Sequence, residues 1–586
     1  MTNQQAFELA LSHFQSGRRE DAESALREIL QRQPDHSDAL HLAGVLAYQS
    51  GQNGEAVELI KRAVAANPGN AEYWNNLGLV LAAQGELDGG IAALQKAVQL
   101  RPDFARGHNN LGSLYAEKRQ WDQAIASFRL AVAIDPQYAE AESNFASALK
   151  ETGDLDQAIA RYQHAASLKG DPKIASNLVY LLYFHPDYGP GQIAEAHREW
   201  NRAFALPLAQ LIAAHKNDPS PDRKLRVGYV SPDFRQHAVG RFIAPLLENH
   251  DHGQIEVYCY ADVRSPDELT EHLRKCADVW RDTTGMSDEQ LAELVRTDRV
   301  DVLVDLVMHM EGGRPLVFAR KPAPVQMTYL AYAGTTGLST IDYRLSDPYL
   351  DPPDNTDDSH YSEKTLRLRS YWCYQAPPEA PPVVPPPSES VGHVTFGCLN
   401  AFSKVTGPAL DTWARILSRV PESRLILHSG EGAHRQRVLD RFRIASISPA
   451  RIEFVTRMPA DIYFAEYNRI DIALDPFPYP GGTTTCDGLW MGVPVVTLAG
   501  ATAVSRAGVS ILSTIGLPEL IARSTDEYVS ITSHLSADPA RRASLRSTLR
   551  ARMQSSPLMD ASAFAKDFEQ VIRRAWRDWC QIHQTH

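Results

Sequence analysis

Apolar residues in the first 170 positions recur at intervals of three, four and seven, the spacing that lines up side chains on one face of a helix. The pattern restarts every 34 residues. Pro34, Pro68, Pro102 and Pro136 are spaced by that interval, and a fifth step lands on Gly170, another helix breaker. Gly17, Gly51, Gly85 and Gly153 keep the same period, with Arg119 in the remaining place. In one unit Trp74, Leu77 and Gly78 share a helix, while Leu94 and Ala97 share the next. The following unit supplies Leu111, Gly112 and Tyr115, then Ala124, Phe128 and Ala131. Each unit therefore predicts two antiparallel helices closed by proline. A glycine inside the first helix (Gly78, Gly112) lets the second pack closely.

This register resembles the tetratricopeptide repeat, whose unit is a 34-residue helix–turn–helix. Five such units fit residues 1–170. Trp74, Tyr115 and Phe128 are expected to be core. Stacked helix pairs form a concave groove suited to an extended peptide, so protein or peptide partners are expected for the repeats. Residues 171–213 still read as helical and are expected to cap the repeats and connect them to the rest of the chain. The segment Lys216–Lys224 is polar, contains Pro219 and Pro221, and reads as a linker.

Beyond it the period changes. Apolar runs of strand length occur at Leu225–Ser231, Ile255–Ala261, Asp301–Met308 and Val325–Tyr332, with helical patterns between several of them. One of these, Ser287–Arg296, opens with Ser287 three residues before Gln290, the spacing of a capping box. A second set comes at His393–Asn400, Arg424–Ser429, Arg451–Arg457, Asp471–Leu474 and Pro494–Leu498. Alternating strands and helices argue for parallel sheets covered on both faces. Two such domains are expected, 214–375 and 391–586, joined by the proline-rich connector 376–390. Ligand would bind at the carboxyl ends of the strands.

Composition narrows the function. The chain has 586 residues and a net charge of −12, so it lacks the global basic field of a nucleic-acid-binding protein. Its six cysteines form no C-x-x-C pair, which disfavours a zinc ribbon or a thioredoxin-like site. No secretory signal and no apolar run of membrane-spanning length are visible, and scattered thiols suit a reducing compartment. The expectation is a cytoplasmic protein without membrane attachment.

Neither sheet domain carries a G-x-x-x-x-G-K-[ST] loop, nor G-x-G-x-x-G after its first strand, which weakens the ATPase and simple NAD readings. The D-x-D at Asp154–Asp156 falls in a repeat turn, so no metal is expected. The segment Asp475-Pro-Phe-Pro-Tyr-Pro-Gly-Gly-Thr-Thr-Thr-Cys-Asp487 is the most informative. A strand ends near Leu474, a Pro/Gly loop comes next, and Thr483, Thr484 and Thr485 open a helix. Free N–H groups and the helix dipole there favour a diphosphate, the hydroxyls of Thr483, Thr484 and Thr485 are expected to add hydrogen bonds to the donor, and Asp487 can accept hydrogen bonds from ribose hydroxyls. Lys404, just past the strand His393–Asn400, can neutralise a diphosphate leaving group without metal. His237 comes after the first strand on the cleft edge, where an imidazole can take a hydroxyl proton or bond a phosphate. His309, at the end of Asp301–Met308, is expected to project into the same cleft.

Together these residues resemble the protein O-GlcNAc transferase family, including its SPINDLY-type branch. The resemblance runs through the repeats, Arg226-Val-Gly-Tyr-Val-Ser-Pro-Asp-Phe, Lys321-Pro-Ala-Pro-Val-Gln, Gly334-Thr-Thr-Gly, Val394-Thr-Phe-Gly and the Thr483–Asp487 loop. It implies a GT-B fold, two Rossmann-like α/β domains behind an α superhelix, with inverting, metal-independent transfer of sugar to Ser or Thr hydroxyls. It also implies a catalytic role for Lys404 and for His237. Thr483 and Thr484 would hold the diphosphate, Asp487 the ribose, and Tyr463 would stack on the base. Three positions depart from the usual O-GlcNAc pattern. Gly482 replaces a histidine, Ala401 a nucleotide-contacting glutamine, and Ala460 a donor-site lysine. The run Gly482-Thr-Thr-Thr-Cys is closer to the SPINDLY branch, whose plant members use GDP-fucose. UDP-GlcNAc is the expected donor, and GDP-fucose the alternative. A third alternative is a repeat scaffold whose transferase half only senses nucleotide sugar.

Overall fold

The computed structural model describes residues 2–354 and 358–583. By internal contacts the chain divides into two compact units, residues 1–170 with 430–433, and residues 171–429 with 434–586.

The first unit is five helix pairs: α1 and α2 (Asn3–Gln15, Arg19–Arg32), α3 and α4 (Ser37–Gln49, Asn53–Ala66), α5 and α6 (Ala71–Ala83, Leu87–Leu100), α7 and α8 (Ala105–Glu117, Trp121–Ile134), α9 and α10 (Ala139–Glu151, Leu155–Leu168). Each 34-spaced proline stands one residue past a helix cap, where the missing N–H stops the helix. The intra-pair turn needs a left-handed residue, supplied by Gly17, Gly51, Gly85 and Gly153. Arg119 adopts the same conformation, φ 57°, at the one place without glycine. Gly78 is glycine for a different reason. A Cβ there would stand 2.6 Å from Leu94 Cγ and 2.9 Å from the Gly90 carbonyl, so only a bare Cα admits α6 at this distance. Asparagines bridge successive repeats, Asn110 donating to Asn75 at 2.8 Å and Asn144 to Asn109 at 3.0 Å.

The second unit begins with α11 (Pro172–Leu181) and α12 (Pro190–Trp200). Val179 of α11 and Trp200 of α12 share a core with Val230, Tyr258, Leu291 and Leu303 of the adjoining sheet domain, so this segment is built into the α/β unit. That domain is a seven-stranded parallel sheet of β1 (Leu225–Ser231), β2 (Ile255–Ala261), β3 (Val279–Asp282), β4 (Val302–Asp305), β5 (Val325–Thr328), β6 (Tyr343–Ser346) and β7 (Lys364–Arg367). Its order is β3-β2-β1-β4-β5-β6-β7. The second domain has six strands, β8 (Thr395–Cys398), β9 (Arg424–His428), β10 (Ile452–Val455), β11 (Ile472–Leu474), β12 (Val495–Leu498) and β13 (Ile521–Ala522), in the order β10-β9-β8-β11-β12-β13. Ser287 forms the expected capping box, accepting from Gln290 N at 3.2 Å while Gln290 Oε1 accepts from Ser287 N at 2.8 Å.

The strands β3, β6, β7 and β13 lie outside the apolar runs. They are two to four residues long, and three of them carry charge: Val279-Trp-Arg-Asp, Tyr343-Arg-Leu-Ser and Lys364-Thr-Leu-Arg. Arg344 in β6 is fully buried because Asp351 pairs with it at 2.9 Å and the Tyr361 ring lies 3.8 Å from its guanidinium carbon.

Two segments sit differently from a simple two-domain division. The proline-rich connector is fastened to the second domain by a helix, Pro539–Gln554. Arg546 donates to the Val384 carbonyl at 2.9 Å and Arg550 to the Pro381 carbonyl at 2.9 Å. The last helix, Ala561–His583, leaves the second domain and returns to the first. Phe568 lies 5.3 Å from the Tyr329 ring, and Trp576 Nε1 donates to the Ser220 carbonyl at 3.1 Å.

Candidate active site

The order of the first sheet reverses between β1 and β4, which opens a crevice at the carboxyl ends of these strands. The loop after β1 runs from Ser231 to His237, the N-cap of α13 (Ala238–Asn249). His237 Nδ1 accepts from Val239 N at 3.3 Å and also lies 3.3 Å from Asp233 Oδ2. The other ring nitrogen, Nε2, has no protein partner among the described residues. Burial lowers the His237 pKa, and Asp233 opposes that shift. The side chain keeps 35% of its surface exposed, so the ring is accessible.

The second domain contributes three loops. After β8 the chain makes a short turn, Phe402–Lys404, which begins beside the exposed methyl of Ala401. Lys404 Nζ donates to the Pro480 carbonyl at 3.0 Å and sits 4.3 Å from the Tyr479 ring centroid. Burial pushes the ammonium down to about 8, with Asp475 holding it up. Asp475, at the end of β11, is 1% exposed. It accepts from Gly481 N at 2.7 Å and from Thr497 Oγ1 at 2.8 Å, and burial raises its pKa to about 6. One carboxylate thus shapes the Pro/Gly loop and provides the counter-charge for Lys404.

The helix Thr483–Trp490 comes next, with Gly482 as N-cap and no side-chain cap. Its first N–H groups are left for a ligand, at the positive end of the helix dipole. Thr483 and Thr484 are half-buried at this end, and Thr484 Oγ1 donates to Asn400 Oδ1 at 2.6 Å. Gly482 faces Trp372, and a Cβ there would stand 3.0 Å from Trp372 Cη2 and 3.1 Å from Cζ3.

Asp487 lies one turn further and is 1% exposed. Oδ1 accepts from Tyr374 at 2.7 Å and from Arg241 Nη2 at 2.8 Å. Oδ2 accepts from Tyr463 at 3.2 Å and from Arg241 Nη1 at 3.3 Å. Tyr463 is therefore beside Asp487, with its hydroxyl also 2.9 Å from that of Tyr467. Arg241 belongs to α13, one turn past His237. The loop after β1 and the helix Thr483–Trp490 consequently meet across the cleft between the two sheet domains.

Two expectations need correction. His309 does not enter the cleft. It is fully buried, 3.0 Å from Ser176 Oγ through Nδ1 and 2.7 Å from the Thr336 carbonyl through Nε2, with Trp200 edge-on at 4.7 Å. Burial lowers its pKa to about 4, with the Thr336 carbonyl opposing, so it is a neutral packing residue. The Thr485 hydroxyl also turns inward, 3.5 Å from Asp475 Oδ1, because its helix position faces the domain core. Only its backbone N–H is left for a ligand. Four residues of the site, Asp475, Arg241, Asn400 and Trp372, are not among those the sequence pattern singles out. Asp475 had a legible signal, a carboxylate at a strand end before a Pro/Gly loop. The other three acquire a role only through contacts distant in sequence.

The glycosyl transferase family 41 model matches residues 206–373 and 387–568. Tetratricopeptide-repeat models match residues 7–71, 41–103, 75–139 and 115–178. A tomato (Solanum lycopersicum) protein named a probable UDP-N-acetylglucosamine–peptide N-acetylglucosaminyltransferase SPINDLY is 38% identical over 424 residues, 70% of this chain and 45% of that relative. The probable transferase SEC of Arabidopsis thaliana is 28% identical, covering 62% of this chain and 38% of its own length. The chain thus spans about half the length, or less, of these curated relatives. A solved structure, an O-GlcNAc transferase mutant of Thermobaculum terrenum, superposes with a TM-score of 0.82 at 36% identity, covering 88% of this chain and 98% of that one. This chain belongs to glycosyl transferase family 41, as a SPINDLY-like member of the O-GlcNAc transferase group.

Proposed function

We propose that this chain is a protein O-glycosyltransferase. A Ser or Thr hydroxyl of an acceptor protein attacks the anomeric carbon of a nucleotide sugar, and the nucleoside diphosphate leaves with inversion. The observation that carries this reading is a half-buried cation beside an uncapped helix start. Lys404 is fixed by Pro480 and Tyr479 of the very loop that leads into the helix Thr483–Trp490. Positive charge placed before reaction where phosphate charge develops is the kind of preorganisation that lowers such barriers. Among the described residues no trio of His, Cys, Asp or Glu side chains is grouped to hold a metal. Lys404 is the cation, and the helix N–H groups the hydrogen-bond donors, that we assign to the diphosphate. His237 Nε2 faces hydroxyl or phosphate, and the leaving phosphate can itself take the acceptor's proton.

UDP-GlcNAc is the donor we favour, supported by the names of the relatives. GDP-fucose is the second reading, favoured by Gly482 and the Trp372 ring packed against it. The acceptor is a protein segment held by the repeats. No helix among the described residues is long and apolar enough to cross a membrane, and we place the activity in the cytoplasm. Purified full-length chain incubated with each sugar nucleotide, with hydrolysis and self-modification measured, tests the reading. One donor should be turned over and Lys404→Ala should abolish it. Near-normal turnover by that variant sinks the assignment of Lys404, and no turnover of either donor sinks the enzymatic reading.

A further inference from the structure

Asp487 presents a problem for a donor site. A carboxylate has about four acceptor directions, and here four donor contacts occupy them: two from Arg241, one from Tyr374 and one from Tyr463. A ribose hydroxyl must replace one of these contacts to reach it. The four are not equivalent. Tyr463 belongs to the second domain and Tyr374 to the segment leading into it. Arg241 reaches across from α13 of the first domain. Its side chain is 23% exposed against 2% for Asp487, so it approaches from the cleft side. Asp487 in turn raises the Arg241 pKa, against the cost of burial.

An ionised carboxylate as buried as Asp487 is costly without a partner. In an empty site some group must satisfy it, and a guanidinium donating two parallel N–H groups offers what two vicinal ribose hydroxyls offer, paired donors at one carboxylate. We propose that Arg241 is a donor-site positioning residue that occupies the ribose seat at Asp487 in the empty protein, clasps the two sheet domains together, and yields that seat when a nucleoside diphosphate enters. The inference rests on the donor reading above and adds the group that the donor displaces. Release of Arg241 uncouples α13 from the helix Thr483–Trp490, so donor entry and loosening of the cleft become one event. Because His237 is one turn from Arg241 on the same helix start, the same event frees the His237 loop to settle on the bound donor.

The test is binding rather than turnover. Titration calorimetry of UDP and GDP, each beside its 2′- and 3′-deoxy analogues, is run on the wild-type full chain and on Arg241→Gln, Arg241→Lys, Asp487→Asn and the double variant Arg241→Gln/Asp487→Asn. Removing a competing partner multiplies the apparent Kd by the fraction of time the seat stood free, so a seat held about nine-tenths of the time gives about a tenfold gain. Arg241→Gln should therefore tighten the ribonucleotide about tenfold, tighten the deoxy analogue less, and so widen discrimination between them. Arg241→Lys, which keeps a charge, should stay near wild type. In the Asp487→Asn background the Gln substitution should have no effect. Amide exchange in Thr483–Trp490 of the empty chain should rise in Arg241→Gln. Weaker binding of ribo and deoxy nucleotides alike in Arg241→Gln would overturn the proposal while leaving the donor reading intact, because Arg241 would then be a direct diphosphate ligand or a structural tie. Failure of wild type and every variant to bind either nucleotide would reject the donor reading and this inference with it.

Discussion

Replacing Lys404 with Met should make the empty protein more stable and the enzyme nearly inactive. Lys404 carries its charge into a half-buried place. Its pKa falls from the ordinary 10.5 to about 8 because burial outweighs the attraction of Asp475. That difference corresponds to about 3 kcal/mol of charging cost. The sign comes from proton binding. Between about pH 8 and 10.5 the unfolded chain holds the proton and the folded chain sheds it, so the penalty is full below about 8 and gone above 10.5. Methionine keeps the volume and removes the charge. It also loses the hydrogen bond to Pro480 and the contact with the Tyr479 ring; the lost attraction to Asp475 is already contained in the pKa difference. These losses return about 1–2 kcal/mol. The net gain at neutral pH is then about 1–2 kcal/mol, seen as a rise of a few degrees in thermal midpoint. It should shrink as the pH is raised through 8 towards 10.5. Transfer should fall by about 10²–10³, the usual effect of deleting one group that stabilises developing charge. The assay is a pair of measurements on the same preparation: thermal unfolding from pH 7 to 10 and initial rates with the donor that is turned over. A Met variant that melts earlier than wild type at pH 7, or keeps more than a tenth of its rate, refutes the argument.

Asp475→Asn removes the charge that holds Lys404 up, so the alkaline limb of the rate profile should move to lower pH, and a limb that stays put would contradict the pairing. His309→Phe should alter acid stability and not donor affinity. The wild-type imidazole is neutral and buried with a pKa of about 4 against 6.5 when free, so wild type should lose about 3 kcal/mol relative to the variant as pH falls from 6.5 towards 4, measured by denaturant titration at each pH. Arg119→Gly should stabilise the repeats by up to about 1 kcal/mol, because it removes a side chain from a left-handed turn that glycine fills in four neighbouring repeats; an unchanged or lower denaturation midpoint would count against strain at that turn. Gly482→His should cost about 1–3 kcal/mol through overpacking against Trp372, and that cost should largely vanish when the same substitution is made in, and compared with, a Trp372→Ala background.

The repeats were legible because their information is local. Period, turn and stop are written within 34 residues, and even the substitution at Arg119 kept its place, since the turn conformation is imposed by helix pairs that no single residue controls. The long apolar strands were legible for the same reason: Leu225–Ser231 and Ile255–Ala261 coincide with β1 and β2. Strands β6 and β7 were not, because a charged residue in a strand makes sense only beside its partner. For Arg344 those partners are Asp351 and the Tyr361 ring.

The candidate site divides along the same line. Sequence alone determined the loop, the helix start and the residue types that suit a nucleoside diphosphate: Lys404, Thr483 and Thr484 for the phosphates and Asp487 for the ribose, with His237 on the loop after the first strand. Tertiary structure decided what each group does in the empty protein. It turned Thr485 inward, buried His309 between Ser176 and Thr336, and made Asp475 the counter-charge of Lys404. It also closed the Arg241 guanidinium on Asp487, 246 positions away in the chain. Helix and strand patterns arise from near neighbours, so a sequence carries them openly. The charge state and occupancy of a buried group depend on whatever the fold brings to within a few ångströms, and only the folded chain specifies that.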